Sequence, residues 1–437
     1  MSSLTFLSQP EKVLIGKTLE VPRMISGLWQ LAGGHDKHVD LDVATAAMDS
    51  LISSGLDCFD MADHYGDAEL VVGHHHRVSQ QRMIAFTKWC PAENGIKTFQ
   101  QAEEAVNLAL TRMGQRQIAL MQYHVWDYSD DTYIHNLFHL RTLHELGKIQ
   151  HIGLTNVDAA HLELLLNSGL PIATNQVSCS VIDRRLVRNR LTSVCLEHSV
   201  KILAYGTLLG GFLSEKWLGQ PEPTDLESLN WSLRKYLRFI NAVGGWTCYQ
   251  TVLQTLDSIA RKHSVSIAAV ATRHVLDLPA VGAVIVGSRL STESDKYTTS
   301  NLSAFSFSLD EEDRALISNA QENLTDIPGD CGDEYRRAPY LTASGDLSHH
   351  LTNLKQHSQI SKAIAEGKRI EYSSGSPWEP LASYSRAVRT GSIIRVSGTT
   401  ANSPITSIPV LGGRVCEVKL SLQSISSRGR FKLSGDR

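Results

Sequence analysis

The sequence predicts an α/β fold: a closed (β/α)8 barrel of the TIM type, followed by a shorter α+β fragment. Three observations carry this. Eight short, mostly apolar runs recur between residues 24 and 287, which is how parallel strands covered on both faces read. Amphipathic stretches lie between them, and that alternation implies right-handed crossovers and a parallel sheet. Eight repeats over about 300 residues suit a closed barrel better than an open sheet.

The strands are MISGLW (24–29), LDCFDM (56–61), MIAFTK (83–88), IALMQYH (118–124), IQHIGLT (149–155), IATNQV (172–177), KILAYG (201–206) and VGAVIVG (281–287). Among the helices, VDLDVATAAMDSLISSG runs to Gly55, a C-cap. TFQQAEEAVNLALTRMG opens on Thr98 as N-cap and runs to Gly114. DTYIHNLFHLRTLHELGK and DAAHLELLLNSGLP follow the fourth and fifth strands. One connection, residues 207–247, is long and carries Phe212, Trp217, Trp231, Tyr236, Phe239 and Trp246. These aromatics read either as core and lid packing or as pocket lining, where Trp89 and Trp126 would join Trp217. After about residue 323 the character changes. NLTDIPGDCGDEYRRAP is turn-rich and reads as a linker or barrel tail. RIEYSSGSPW and SIIRVSGTTA read as strands, and residues 401–437 show no firm periodicity. The division is a barrel over 1–322, a linker or tail over 323–368, and a poorly ordered fragment over 369–437.

At 42% hydrophobic and 20% charged residues the composition is that of a globular chain. A net charge of −3 offers no basic excess for nucleic acid and no acidic tail. The N-terminus lacks a signal-peptide pattern, and no apolar run is long enough to span a bilayer. Seven scattered cysteines without a CxxC pair imply a reducing, cytoplasmic compartment rather than a disulfide scaffold. Nothing in the pattern sets an oligomeric state.

Function in such barrels sits at the C-terminal ends of the strands. The second strand ends near Asp60 and runs into DHYGDAE, which carries Tyr65; the third ends in Lys88, the fourth in His124. That set suits proton transfer to a carbonyl oxygen. A tyrosine titrates near about pH 10, and a nearby ammonium stabilises its anion. A carboxylate keeps the lysine charged and oriented, and a histidine can fix the carbonyl's pose. Taken singly, each has a plain structural reading: Asp60 a barrel-end polar group, Lys88 a solvated charge, His124 a satisfied core histidine, Tyr65 a packed loop aromatic. Their order at three successive strand ends favours the joint reading. No metal is required: His74, His75 and His76 cannot face one point and read as a solvated face.

FDMADHYGDAELVVG, FTKW, QYH, the LTN of HIGLTN, NQV and AYGTLLGGFLSEKW occur in order across about residues 22–322 and resemble the aldo-keto reductase family. The resemblance implies a (β/α)8 barrel that is an NADP(H)-dependent carbonyl reductase, or an alcohol or sugar dehydrogenase, acting on a small carbonyl or alcohol. Its tetrad falls on Asp60, Tyr65, Lys88 and His124. It implies that Thr155 and Asn156 hold the carboxamide with Gln176 beside them, and that Tyr205 stacks on the nicotinamide. Thr207, Leu208, Gly210 and Gly211 would line the pyrophosphate, and Gly287, Ser288 and Arg289 the 2′-phosphate. Asn301 would keep an adenine contact, with Ser300 where the family has an acid, and Trp29 joins the cofactor set. An arginine fork at a phosphate favours NADP(H) over NAD(H). Two rival readings are a non-catalytic NADPH-binding regulatory subunit and a Schiff-base aldolase using Lys88. The aldolase would leave Thr155, Asn156, Tyr205 and Arg289 unexplained.

SSGSPWEPLASYSRAVRTGSIIRVSGTTA (373–401) resembles the start of the reactive-intermediate deaminase (Rid/YjgF) family, trimeric hydrolases of enamines and imines. The chain departs from that pattern after Ala401, before the arginine that would bind the substrate carboxylate. A truncated, inactive remnant is the expectation.

Overall fold

Strands whose side chains are buried on both faces need a neighbour on each edge, and a closed ring supplies one without leaving an open strand. The computed structural model describes residues 8–32, 40–91, 95–125, 128, 132–292, 295–336, 366–373, 387–390, 393–396 and 430–433. It begins with an antiparallel hairpin, β1 (Lys12–Ile15) and β2 (Leu19–Pro22). The barrel strands follow: β3 (Met24–Gly27), β4 (Cys58–Asp60), β5 (Ile84–Trp89), β6 (Ile118–His124), β7 (Ile149–Thr155), β8 (Ile172–Ser178), β9 (Lys201–Tyr205) and β10 (Val281–Gly287). Each pairs in parallel with the next, and β10 returns to β3 with Val284 opposite Met24.

The hairpin is an element that the alternation argument does not contain. Its Ile15 and Val21 pack against Ile25, Cys58, Phe86, Leu120, Leu203 and Ala283, which makes an apolar floor inside the barrel. Side chains alternate along a strand, so Phe86 and Lys88 share the inward face: one lies in the floor and the other at the open mouth.

Helices wrap the outside. Leu41–Ser53 is capped by Asp40, whose side chain accepts from the Asp42 and Val43 amides. Phe99–Met113 starts with the Thr98–Gln101 capping box and stops at Gly114, which takes φ +65°. Helix Ala68–Val78 carries the three histidines, and here the solvated-face expectation needs correcting. His75 is fully buried and pairs with Asp49 at 2.8 Å, because residue 75 lies on the side of that helix facing Leu41–Ser53. His76 is exposed. The long connection after β9 holds two short 3-10 turns and the helix Trp231–Ala242 before the helix Gly245–His263. None of the six described cysteines forms a disulfide. No helix among the described residues is long and apolar enough to cross a membrane.

Residues 323–336 pack as part of the barrel rather than as a linker. Leu324, Ile327, Cys331 and Tyr335 are buried. Arg184 donates to the carbonyls of Gln321 and Leu324 and to Asp326. Arg185 spans Asp183 and Glu334, at 2.8 and 2.6 Å. Burial alone would raise Glu334, but Arg185 and Lys235 hold its carboxyl below the usual range, so it stays charged. Beyond this, β11 (Ile370–Ser373), β12 (Ala387–Thr390), β13 (Ile393–Val396) and β14 (Arg430–Leu433) form an antiparallel sheet in the order β13-β12-β11-β14. The fourth strand comes from the stretch without periodicity. Most of the Rid-like stretch 373–401 lies outside the described residues.

Two expectations follow from the packing. A chain ended after Arg336 should unfold at the same midpoint as the full barrel. One ended after Glu322 should be less stable by about 3 kcal/mol or more, since it loses Leu324, Ile327, Tyr335 and the Glu334 partner of Arg185; equal denaturation midpoints for the two would refute the docking. The second concerns His274, which burial pushes down to about 4. An unfolded histidine takes up its proton near about pH 6.5, so stability falls as pH drops from there to about 4, by roughly 1.4 kcal/mol per unit. Urea unfolding at about pH 7 and about pH 5 should show a smaller pH penalty for His274→Gln than for the parent.

Candidate active site

The polar residues at the mouth hold one another in place. Lys88 and Asp60 are 2% and 3% exposed, and Lys88 Nζ donates to Asp60 Oδ2 at 2.6 Å and to the Met61 carbonyl at 2.8 Å. The other oxygen, Asp60 Oδ1, accepts from Gln122 Nε2 at 2.7 Å and from Gln176 Nε2 at 3.0 Å. Gln176 Nε2 also reaches Gln122 Oε1 at 2.8 Å. The inward position next to Gln122 is Gly153, where a Cβ would meet Thr174 Oγ1 at 2.3 Å and Gln122 Cγ at 3.0 Å. Tyr65 stands on the loop after β4. Its ring centre lies 5.0 Å from Lys88 Nζ, and Trp29 packs edge-on to it at 4.8 Å. At the end of β6, burial and the surrounding cations push His124 well below its ordinary range, so it is a neutral imidazole at neutral pH. Asn156 bridges His124 Nε2 at 3.2 Å and the Tyr205 hydroxyl at 2.8 Å. Asn156 takes φ +58°, a left-handed conformation that asparagine tolerates better than other non-glycine residues.

A cavity of about 490 Å³ runs from this cluster along the mouth. Asp60, Tyr65, Lys88 and His124 line it, as do Trp29, Thr155, Asn156, Gln176, Tyr205, Thr207, Leu208, Gly210, Gly211, Gly287, Ser288, Arg289 and Asn301. The sequence-derived catalytic and cofactor sets therefore share one space. Three further details match a long, anionic dinucleotide. Thr155 Oγ1 is buried without a partner among the described residues. Gly211, at φ +112°, faces open space where a Cβ would go. Arg289 is exposed and makes no ion pair with a described residue. A Cβ on Gly287 would lie 2.0 Å from the Gln30 amide nitrogen, so any other residue there would push the Gln30 side chain aside.

The pocket tryptophans come out differently. Trp89 does not line the cavity. It follows Lys88 on the strand, so it turns outward, and it packs in the core edge-on to Tyr123 at 5.4 Å. Trp217 is also absent from the lining: it stacks with Phe212 and Trp246, at 4.8 and 5.9 Å, and fastens the long connection to Gly245–His263. Trp126 lies outside the described residues. Ser300 bonds Ser266 and leaves the cavity wall to Tyr297, Thr298 and Asn301.

Of the aromatics in the long connection, Trp231 and Tyr236 do line the cavity; sequence reasoning missed Gln122, Gln30, His64, Lys235 and Tyr335. Tyr335, from the docked tail, stands edge-on to His124 at 5.6 Å, and Lys235 Nζ donates to its hydroxyl. A turn-rich stretch more than 200 residues from His124 carries no local signal of that contact. Four of the buried thiols are poor candidates for nucleophiles: burial raises Cys58, Cys179 and Cys331 and pushes Cys195 up to about 12.

A family model described as "Aldo/keto reductase family" matches residues 23–322. The flagellar radial spoke protein 5 of Chlamydomonas reinhardtii is 37% identical over 139 residues, 30% of this chain and 25% of that protein. The chloroplastic pyridoxal reductase of Arabidopsis thaliana is 26% identical over 242 residues, 50% of this chain and 65% of its own length. The chain thus spans a quarter of one curated relative and less than two thirds of the other. Among solved structures, a glycerol dehydrogenase from Gluconobacter oxydans superposes with a TM-score of 0.60 at 21% identity, over 73% of this chain and 97% of the other. An aldo/keto reductase from Klebsiella pneumoniae, in complex with NADP and acetate, gives 0.54 at 21%, over 73% and 100%. At that identity the likeness is one of fold. The family match, however, runs from the first barrel strand to the helix Glu311–Glu322 beyond the last, and the chain belongs to the aldo/keto reductase family.

Proposed function

We propose that the protein is an NADP(H)-dependent oxidoreductase of a reducing, cytoplasmic compartment, which reduces a small aldehyde or ketone to an alcohol or runs the reverse reaction. The observation that carries the reading is the convergence of Asp60, Tyr65, Lys88 and His124 on one cavity that Arg289 and Asn301 also line. When bound, the dinucleotide supplies hydride to the carbonyl carbon. Tyr65 gives its phenolic proton to the carbonyl oxygen, and the Lys88 ammonium stabilises the tyrosinate left behind. Asp60 accepts from Lys88 Nζ and aims it. Asn156 and Thr155 would hold the carboxamide, and the neutral His124 ring would orient the carbonyl. Gln176 braces Asp60; Tyr205 would face the nicotinamide, the 207–211 loop would hold the pyrophosphate, and Ser288 and Arg289 would hold the 2′-phosphate.

A Schiff-base role for Lys88 is poorly served, because its nitrogen is engaged by Asp60 and the Met61 carbonyl rather than open to a substrate carbon. The second reading, a non-catalytic NADPH-binding subunit, draws on the radial-spoke relative.

NADPH oxidation measured over a panel of aldehydes tests the first reading. Tyr65→Phe should lose at least about a hundredfold in turnover while keeping NADPH affinity. Tight NADPH binding with no turnover by the parent would favour the subunit reading, and full turnover in the variant would remove Tyr65 as proton donor. Arg289→Ala should weaken NADPH by about 10–100-fold and NADH little, as expected for a lost charge-assisted contact. An equal effect on both cofactors would sink the phosphate assignment.

A further inference from the structure

Next to Tyr65, but outside the residues that the proposed reaction uses, Asp63, His64 and Cys90 bring a carboxylate oxygen, an imidazole nitrogen and a thiol sulfur within 4.8 Å of one another. Two elements build the cluster: the loop after β4 and the end of β5. They are tied together, since the Asp63 amide donates to the Lys88 carbonyl at 3.2 Å and the Cys90 amide to Asp63 Oδ2 at 2.9 Å. His64 Nδ1 already lies 3.0 Å from Asp63 Oδ1, close to the roughly 3.3 Å between two ligands on one tetrahedral ion. Cys90 is 6% exposed, whereas His64 is half-buried and lines the cavity, so a bound ion would have a closed side and an open one. The one other group of this kind among the described residues, His263, Asp310 and Asp313, is filled by Lys262, whose ammonium sits 2.7 and 2.9 Å from the two carboxylates.

We propose that Asp63, His64 and Cys90 bind one Zn²⁺ per chain, with the fourth position open to the cavity, and that this ion inhibits turnover. Thiolate, imidazole and carboxylate together suit zinc, whereas Mg²⁺ and Ca²⁺ take oxygen ligands. Binding breaks the Cys90 S–H bond, forms a zinc–sulfur bond and releases the proton to solvent; nothing is oxidised or reduced. Two anionic ligands balance the ion's charge. Inhibition follows from position. The His64 ring is edge-on to Tyr65 at 4.9 Å and to Trp29 at 6.4 Å, so drawing His64 toward Cys90 shifts the packing that seats the phenol.

The inhibitory part rests on the carbonyl-reductase reading; the binding part does not. The test uses the untagged full chain, titrated with Zn²⁺ against a chromophoric chelator and with Co²⁺ for a thiolate-to-metal charge-transfer band. The parent should take up one tight equivalent and show the band. Cys90→Ala should abolish the band, and both Cys90→Ala and His64→Gln should weaken zinc at least about tenfold; His263→Gln should change nothing. A band that survives in Cys90→Ala, or equal zinc affinity in parent and His64→Gln, overturns the site. In turnover assays zinc should inhibit the parent reversibly by chelator and spare Cys90→Ala; equal inhibition of the two overturns the regulatory part. A parent without turnover in zinc-free buffer would count against the reductase reading, and the metal titrations would still decide the site.

Discussion

A single buried ion pair organises the mouth of this barrel. Burying a lysine and an aspartate is costly unless every donor and acceptor is met, and losing one partner of such a pair costs roughly 3–5 kcal/mol. Here the demand is met by residues on four strands and a loop: Asp60 from β4, Lys88 from β5, Gln122 from β6, Gln176 from β8, and the Met61 carbonyl just past β4. The same bonds that satisfy the pair lock these strands in register at their C-terminal ends. Met61 also opens the loop that carries Tyr65, so the anchoring of Lys88 and the placing of the phenol are one constraint.

The two ends of the barrel divide the work. The floor is sealed by apolar side chains of the hairpin, Ile15 and Val21, packed on those of the strands. The mouth carries the polar residues and part of the backbone strain: Asn156, Leu209 and Leu290 take left-handed conformations in loops that border the cavity. Strain of this sort persists only where the surroundings over-determine it. Asn156 is held by His124 and Tyr205, and Leu209 is flanked by Leu208 and Gly210 of the cavity wall. The docked tail completes the enclosure. It brings in a charged Glu334, an internal partner for Arg185, and the Tyr335 ring above His124.

Most of the barrel was legible because strand periodicity and glycine-capped helices are local signals. All eight barrel strands fall within a few residues of the apolar runs, and Asp60, Lys88 and His124 were found simply by reading what ends each run. What local patterns do not encode is a partner far along the chain. Gln122 looks like any polar residue in a strand until Asp60 is placed across from it. Tyr335 sits in a segment whose composition says turn, and its burial depends on Arg184 and Arg185, well over a hundred residues earlier. Trp89 was misread for a different reason: neighbours on a strand face opposite sides, so proximity to Lys88 in sequence meant separation in space. His75 failed similarly, since a run of histidines reads as solvated until the facing helix supplies Asp49.

The pairing of β10 with β3 has a kinetic consequence. Residues 24–27 must wait for residues 281–287, so the longest-range contact in the barrel is also the one that closes it. Contacts this distant in sequence form slowly, because loop-closure entropy must be overcome before they gain anything. Until then β3 and β9 are the open edges of a curved sheet, with unpaired amides and carbonyls that another chain could engage. A lesion in β10 would therefore prolong the exposure of those two edges even where the finished site is untouched.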